Sequence, residues 1–135
     1  MAGYSSAGLA KKLGYKENFL VKLINEPKNY FEMLSDLPNN IKFISNSKKE
    51  IDLIHIFAKE SKKLFELILK SKSEIKQNGM IWVSWPKKSS KLETDITETI
   101  IREFAIHNGL VDIKVCAVDE IWSGLKLVIP IKNRT

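Results

Sequence analysis

Few residues in this 135-residue chain combine in ways that could carry chemistry. Trp85-Pro86-Lys87-Lys88 sets an aromatic face beside two cations, with the hydroxyls of Ser89 and Ser90 just beyond, a receptor for an anion or a flat ring. The reading that takes precedence is packing: Trp82 alternates into the core, Trp85 covers a sheet end, and the lysines solvate a loop. Asp119-Glu120, followed by Trp122-Ser123, places two adjacent carboxylates at a turn, where they would bind a cation, act on a substrate or simply shape the turn. Adjacency alone assigns neither a general acid nor a general base.

His55 falls between Ile54 and Ile56 in an apolar run, the setting of a buried, hydrogen-bonded histidine rather than a base. His107 ends a helical stretch, where the helix dipole favours a cation. Neither has a second ligand at metal spacing, so no zinc or iron site is expected. Cys116, the single cysteine, lies in a strand-like run and reads as a small apolar residue. It excludes an internal disulfide and fits a reducing compartment.

The elements that must position these residues follow from periodicity and breakers. Ala7 to Leu13 forms a short N-terminal helix, with Ser5 or Ser6 as cap and Gly14 as stop. Phe19–Ile24 reads as a buried strand, turned by Asn25-Glu26-Pro27 into a helix over 28–37. Ile41–Ile44 and Ile51–Phe57 are the next two strands, and a helix follows over 60–77, with Leu64, Ile68 and Ile75 on one face and Asn78-Gly79 as its end. Met80–Trp85 is a fourth strand stopped by Pro86. Asp95-Ile-Thr-Glu98 has capping-box spacing, which sets a helix over 96–107. Val111–Val118 and Leu125–Ile129 close the chain as an antiparallel pair.

Strands alternating with helices and then a hairpin define a single α/β domain over 1–135. It is a three-layer, Rossmann-like sheet of about six strands, mostly parallel, with an antiparallel C-terminal hairpin. One join resists: Asn46 to Glu50 spans roughly 17 Å when extended, where a parallel crossover usually takes a dozen residues or more. Either the crossing is extended past a very short strand, or the strand at 41–45 is not parallel.

The net charge of +6 comes from 22 basic against 16 acidic residues. Along the chain the whole excess lies in residues 59–91, which hold nine lysines against Glu60, Glu66 and Glu74. Twenty of the basic residues are lysines and only Arg102 and Arg134 are arginines, a composition poor in the bidentate groups that read phosphates and bases. Nucleic acid is therefore not the expected partner. No apolar run approaches the roughly 18 residues of a membrane helix, and the N-terminus lacks a signal-peptide pattern, so a cytoplasmic location is expected.

The order of elements resembles the S-adenosylmethionine-dependent methyltransferases, whose sheet also ends on an antiparallel strand. Asp52, near the start of an apolar strand, and Gly79-Met-Ile-Trp-Val83 look like later landmarks of that fold. Ala2-Gly-Tyr-Ser5, Leu9–Gly14, Trp82-Val-Ser-Trp-Pro-Lys-Lys88, Asp112–Asp119 and Trp122–Val128 together resemble a family of small bacterial proteins with a domain of unknown function. The methyltransferase likeness implies a Gly-rich turn after the first strand, where backbone approaches the cofactor. This chain has no glycine between Gly14 and Gly79, and Ile44 is followed by Ser45-Asn46-Ser47 rather than by a ribose-binding acid. Methyl transfer at the usual site is therefore not expected, and S-adenosylmethionine enters only by analogy of fold.

Ligands of parallel α/β sheets sit at the carboxyl ends of the strands. That crevice gathers Asn25, Pro27 and Lys28, then Ala58-Lys59, then Ser84, Trp85, Lys87 and Lys88, and finally Asp119, Glu120 and Trp122. The leading expectation is a small binding or regulatory module for an anionic small molecule, with no cofactor and no metal. The alternatives are an enzyme acting on an anionic metabolite in that crevice, and weak, salt-dependent nucleic-acid binding through residues 59–91.

Overall fold

The structure, a computed structural model, describes residues 8–135; Ala7, the Ser5 or Ser6 cap and the Ala2–Ser5 motif lie outside the described residues. The apolar runs form β1 (Leu20–Ile24), β2 (Lys42–Ile44), β3 (Ile51–Phe57), β4 (Ile75–Pro86), β5 (Val111–Ala117) and β6 (Trp122–Val128). They make one sheet in the order β2-β1-β3-β4-β6-β5. The pairs β1·β2, β1·β3 and β3·β4 are parallel, and β6 runs antiparallel to both neighbours.

Period-2 alternation sends each strand's side chains to two apolar layers. On one face Val21, Leu23, Leu53, Phe57 and Trp82 pack under α1 (Leu9–Leu13) and α2 (Tyr30–Met33). On the other, Ile54, Ile56, Ile81, Val83 and Leu125 pack under α3 (Ser61–Glu74) and α4 (Glu98–His107). α1 is docked: Ala10 and Leu13 are fully buried, Trp82 Nε1 donates to Leu13 O at 2.7 Å, and Gly14 closes the helix at φ 89°. No helix among the described residues is long and apolar enough to cross a membrane.

The join after β2 is an extended crossing past β1, and β2 is parallel. Ile44 pairs with Lys22, itself level with Ile54, so the chain steps back only to Ile51. That return is about 10 Å along the strand and two inter-strand spacings, about 10 Å, across it. A three-residue β2 makes so short a connection sufficient.

Three helices differ from their sequence-based limits. α2 is a single turn, because Asp36 leaves the helical path and accepts the amides of Ala10 and Lys11 at 3.0 and 3.1 Å, capping α1 instead. α3 stops at Glu74, and Gly79 sits inside β4, where a Cβ would meet Ile51 O at 2.9 Å. α4 begins at Glu98 with Thr97 as cap, its Oγ1 accepting from Ile100 N at 3.2 Å. Asp95 is not its cap: its carboxylate accepts the Ser61 amide and hydroxyl, both at 2.7 Å, at the start of α3. A Thr97→Ala variant therefore loses about 1 kcal/mol, read as a lower urea midpoint at unchanged m-value. An unchanged midpoint would return the cap to Asp95.

Candidate functional site

The chain leaves β1 toward β2 and leaves β3 toward β4, so the strand order reverses between β1 and β3. A crevice opens at the carboxyl ends of strands at such a point. There Asn25, in the left-handed region at φ 58°, turns the chain off β1, and its Nδ2 donates to Phe57 O at the end of β3, at 3.4 Å.

Beside this bridge lies a cleft of about 1320 Å³. Phe57, Ala58 and Trp122 form its apolar floor, the two rings meeting edge to face with centroids 5.0 Å apart. Lys59, Lys63, Lys88 and Lys91 stand at its rim, with Glu60, Glu93 and Asp95 among them. The segment from Lys87 to Thr97 forms the far wall and is held at both ends. Lys87 N donates to Ile121 O at 2.7 Å, Thr94 Oγ1 donates to Lys59 O at 2.6 Å, and Asp95 holds Ser61. Those Ser61 hydrogen bonds also keep the Asp95 carboxyl below its usual range. Asp95 is thus committed, and the rim offers more free cation than free anion.

Of the residues singled out from sequence, Asn25, Lys88 and Trp122 line this cleft, as does Lys59. Pro27 and Lys28 belong to the turn leading into α2 and do not line it. Ser84 is fully buried, its Oγ 2.8 Å from His55 Nε2, and Trp85 lies in the apolar layer beneath α3 and α4. Strand alternation turns both away from a ligand at the sheet end. Lys87 is bound into the wall through its backbone. Asp119 Oδ1 accepts the amides of Ile121 and Trp122, both at 2.8 Å, and so shapes the hairpin turn, leaving Glu120 exposed outside the cleft. Asp52 sits at the amino edge of the sheet, accepting from Leu20 N and pairing with Lys76.

Sequence reasoning missed Phe57, Lys63 and the wall from Leu92 to Asp95. A signal existed, since a polar stretch leaving the carboxyl end of β4 must border the same crevice as the start of α3.

Beneath the floor runs a buried chain of polar groups: Tyr15 OH to Tyr30 OH at 2.7 Å, Tyr30 OH to His55 Nδ1 at 2.9 Å, and His55 Nε2 to Ser84 Oγ. Burial pushes both tyrosine hydroxyls well above their usual range and His55 down to about 3, so the imidazole is neutral. Phe57 stacks on His55 at 4.3 Å and shuts it off from the cleft. Burial likewise raises the Cys116 thiol, and His107 Nδ1 donates to Glu103 O at 2.7 Å. Among the described residues no group of three or more His, Cys, Asp or Glu is placed to hold a metal ion.

Residues 38–131 match the model of a family described as Protein of unknown function (DUF3052), and the chain belongs to that family. A comparison with curated proteins finds no match. Among solved structures, a DhpI–SAH complex aligns with a TM-score of 0.62 at 10% identity, over 89% of this chain and 81% of that one. A SAM-dependent methyltransferase from Aquifex aeolicus aligns at 0.58 and 14% identity, over 90% and 87%. A TehB-like SAM-dependent methyltransferase from Corynebacterium glutamicum ATCC 13032 Kitasato aligns at 0.58 and 9%, over 95% and 90%. These likenesses establish a methyltransferase-like α/β fold.

That fold implies S-adenosylmethionine, and the residues at the switch point do not fit it in the manner expected of the fold. The position that turns the chain off β1 carries the Asn25 side chain, bonded across to Phe57 O. The end of β2 runs Ile44-Ser45-Asn46, with no carboxylate for a ribose.

Proposed function

We propose that this member of the DUF3052 family is a binding or regulatory module that takes a small anionic ligand bearing a flat ring into the cleft beside Asn25, and that it does not transfer methyl groups by the usual site. The observation that carries this reading is the combination at the switch point: the Asn25 bridge where a cofactor would approach, beside an aromatic floor rimmed by Lys59, Lys63, Lys88 and Lys91. The ammoniums draw the anion, and the apolar floor of Phe57, Ala58 and Trp122, itself largely buried, lies beneath the ring. His55 and Asp119 are both engaged elsewhere, so neither serves this cleft as a base.

The test is a thermal-shift panel of S-adenosylmethionine, S-adenosylhomocysteine, nucleotides and acidic metabolites. An anionic ring compound near 100 times its Kd adds about 2.7 kcal/mol, a rise of several degrees, and Lys59→Glu or Lys88→Glu removes the shift. Stabilisation by S-adenosylmethionine together with methyl transfer would refute the reading.

A further inference from the structure

On the sheet face that carries α1, β5 and β6 set two lysines directly opposite each other, Lys114 and Lys126. Like charges so placed repel and weaken a hairpin. The ion pairs among the described residues are Lys22–Glu74, Lys76–Asp52 and those of Arg102 with Glu98 and Asp112, and none relieves this repulsion. Lys114 Nζ donates to Lys12 O at 3.4 Å, which holds its charge at the carboxyl end of α1 beside Lys12. Lys126 stands next to Trp82 across the sheet, and its Nζ lies 3.9 Å from where a side chain on Gly14 would begin. Burial, with Lys114 and Lys16 nearby, holds the Lys126 ammonium below its usual range.

We infer that Lys12, Lys16, Lys114 and Lys126 form an anion site for a compact oligophosphate group, separate from the cleft at the strand ends. The cations come from α1, the turn after it, β5 and β6: Lys114 lies opposite Lys126, and Lys126 reaches the Gly14 turn that separates Lys12 from Lys16. A single carboxylate would neutralise one of them; a linear di- or triphosphate carries enough charge to relieve the whole cluster. Lysine meets phosphate as a point charge and needs no bidentate geometry. An extended nucleic-acid strand fits less well, because Trp82 is fully buried and offers no face on which a base could stack. The site is set by the β5–β6 register and does not rest on the reading of the cleft.

Isothermal titration of the full chain with sodium tripolyphosphate tests this, at low and at raised salt. Binding is expected at low salt, weakening steeply as salt rises. Lys126→Gln and Lys114→Gln, each with the wild-type circular dichroism spectrum, weaken it about tenfold or more, the scale of one lost charge-assisted contact. In a Lys88→Glu background, which takes any anion out of the cleft, the loss caused by Lys126→Gln or Lys114→Gln persists. ATP binding to the Lys88→Glu variant with comparable affinity assigns recognition at this site to the phosphate chain. No binding of tripolyphosphate, loss in Lys88→Glu rather than Lys126→Gln, or tighter binding of a single-stranded RNA than of tripolyphosphate would each overturn the inference.

Discussion

Truncation of Glu74 to alanine destabilises the fold by about 3–5 kcal/mol, a large share of the stability of a domain this size. Lys22 occupies the middle of β1 between Val21 and Leu23, and alternation sends it to the face covered by α3. Its Nζ reaches Oε1 of Glu74, the last residue of α3, at 2.8 Å, and both side chains are only 6% exposed. Removing one partner strands a charge that has neither water nor a counter-ion, and the cost is that of desolvation rather than of the lost attraction. The carbonyls at the end of α3 soften this slightly for the lysine, since a cation is favoured there. The double variant Lys22→Met/Glu74→Leu is expected to match or exceed the wild type, because well-packed apolar groups of similar volume often replace a buried pair without loss. Urea unfolding of the singles and the double completes the cycle. A Glu74→Ala loss below about 1 kcal/mol would place the pair among ordinary surface bridges.

Stability falls as the pH drops below about 6.5, at roughly 1.4 kcal/mol per pH unit from His55 alone. The sign follows from the two states. The unfolded chain takes up a proton on His55 near 6.5, whereas burial keeps the folded imidazole neutral down to about 3. Between those values the unfolded state binds more protons, so acid favours unfolding, and the stability present above the unfolded value is lost as pH falls toward the folded one. Between about pH 6.5 and 4.5, before most carboxylates titrate, the loss is about 2 kcal/mol. His55→Gln, less stable at neutral pH, flattens the slope in that window, while Ser84→Ala costs about 1 kcal/mol and keeps it. An equal slope in wild type and His55→Gln would show that the imidazole charges without unfolding.

The strands were legible because their apolar runs are bounded by turn residues, and period 2 assigns each side chain to a layer. Helix ends were less legible, because caps are competed for. Asp95 has the right spacing to cap α4, yet the orphan amide of Ser61 on the longer α3 takes its carboxylate, and Thr97 serves α4. Asp36 is drawn in the same way to the start of α1. The rule that ligands gather at the carboxyl ends of strands led from sequence to Asn25, Lys88 and Trp122. It also drew in Ser84 and Trp85, which occupy the right level on β4 and point into the two buried layers. Asp119 was a turn residue for a local reason, its side chain accepting amides two and three positions on.

What the sequence by itself determined is the alternation of elements, the burial of His55 and the absence of glycine where the chain leaves β1. These depend on near neighbours and on pattern. What only the tertiary structure decided is which charges face each other. Counted along the chain, the excess of +6 falls in residues 59–91, yet Lys72 there donates to Asn108 O, Lys76 pairs with Asp52, and Lys59, Lys63, Lys88 and Lys91 share a rim with acids. A second cluster, invisible to a count along the chain, arises from Lys12, Lys16, Lys114 and Lys126, more than a hundred residues apart in sequence at its extremes. The physical reason is that electrostatic energy depends on separation in space, and the β5–β6 register together with the docking of α1 sets that separation.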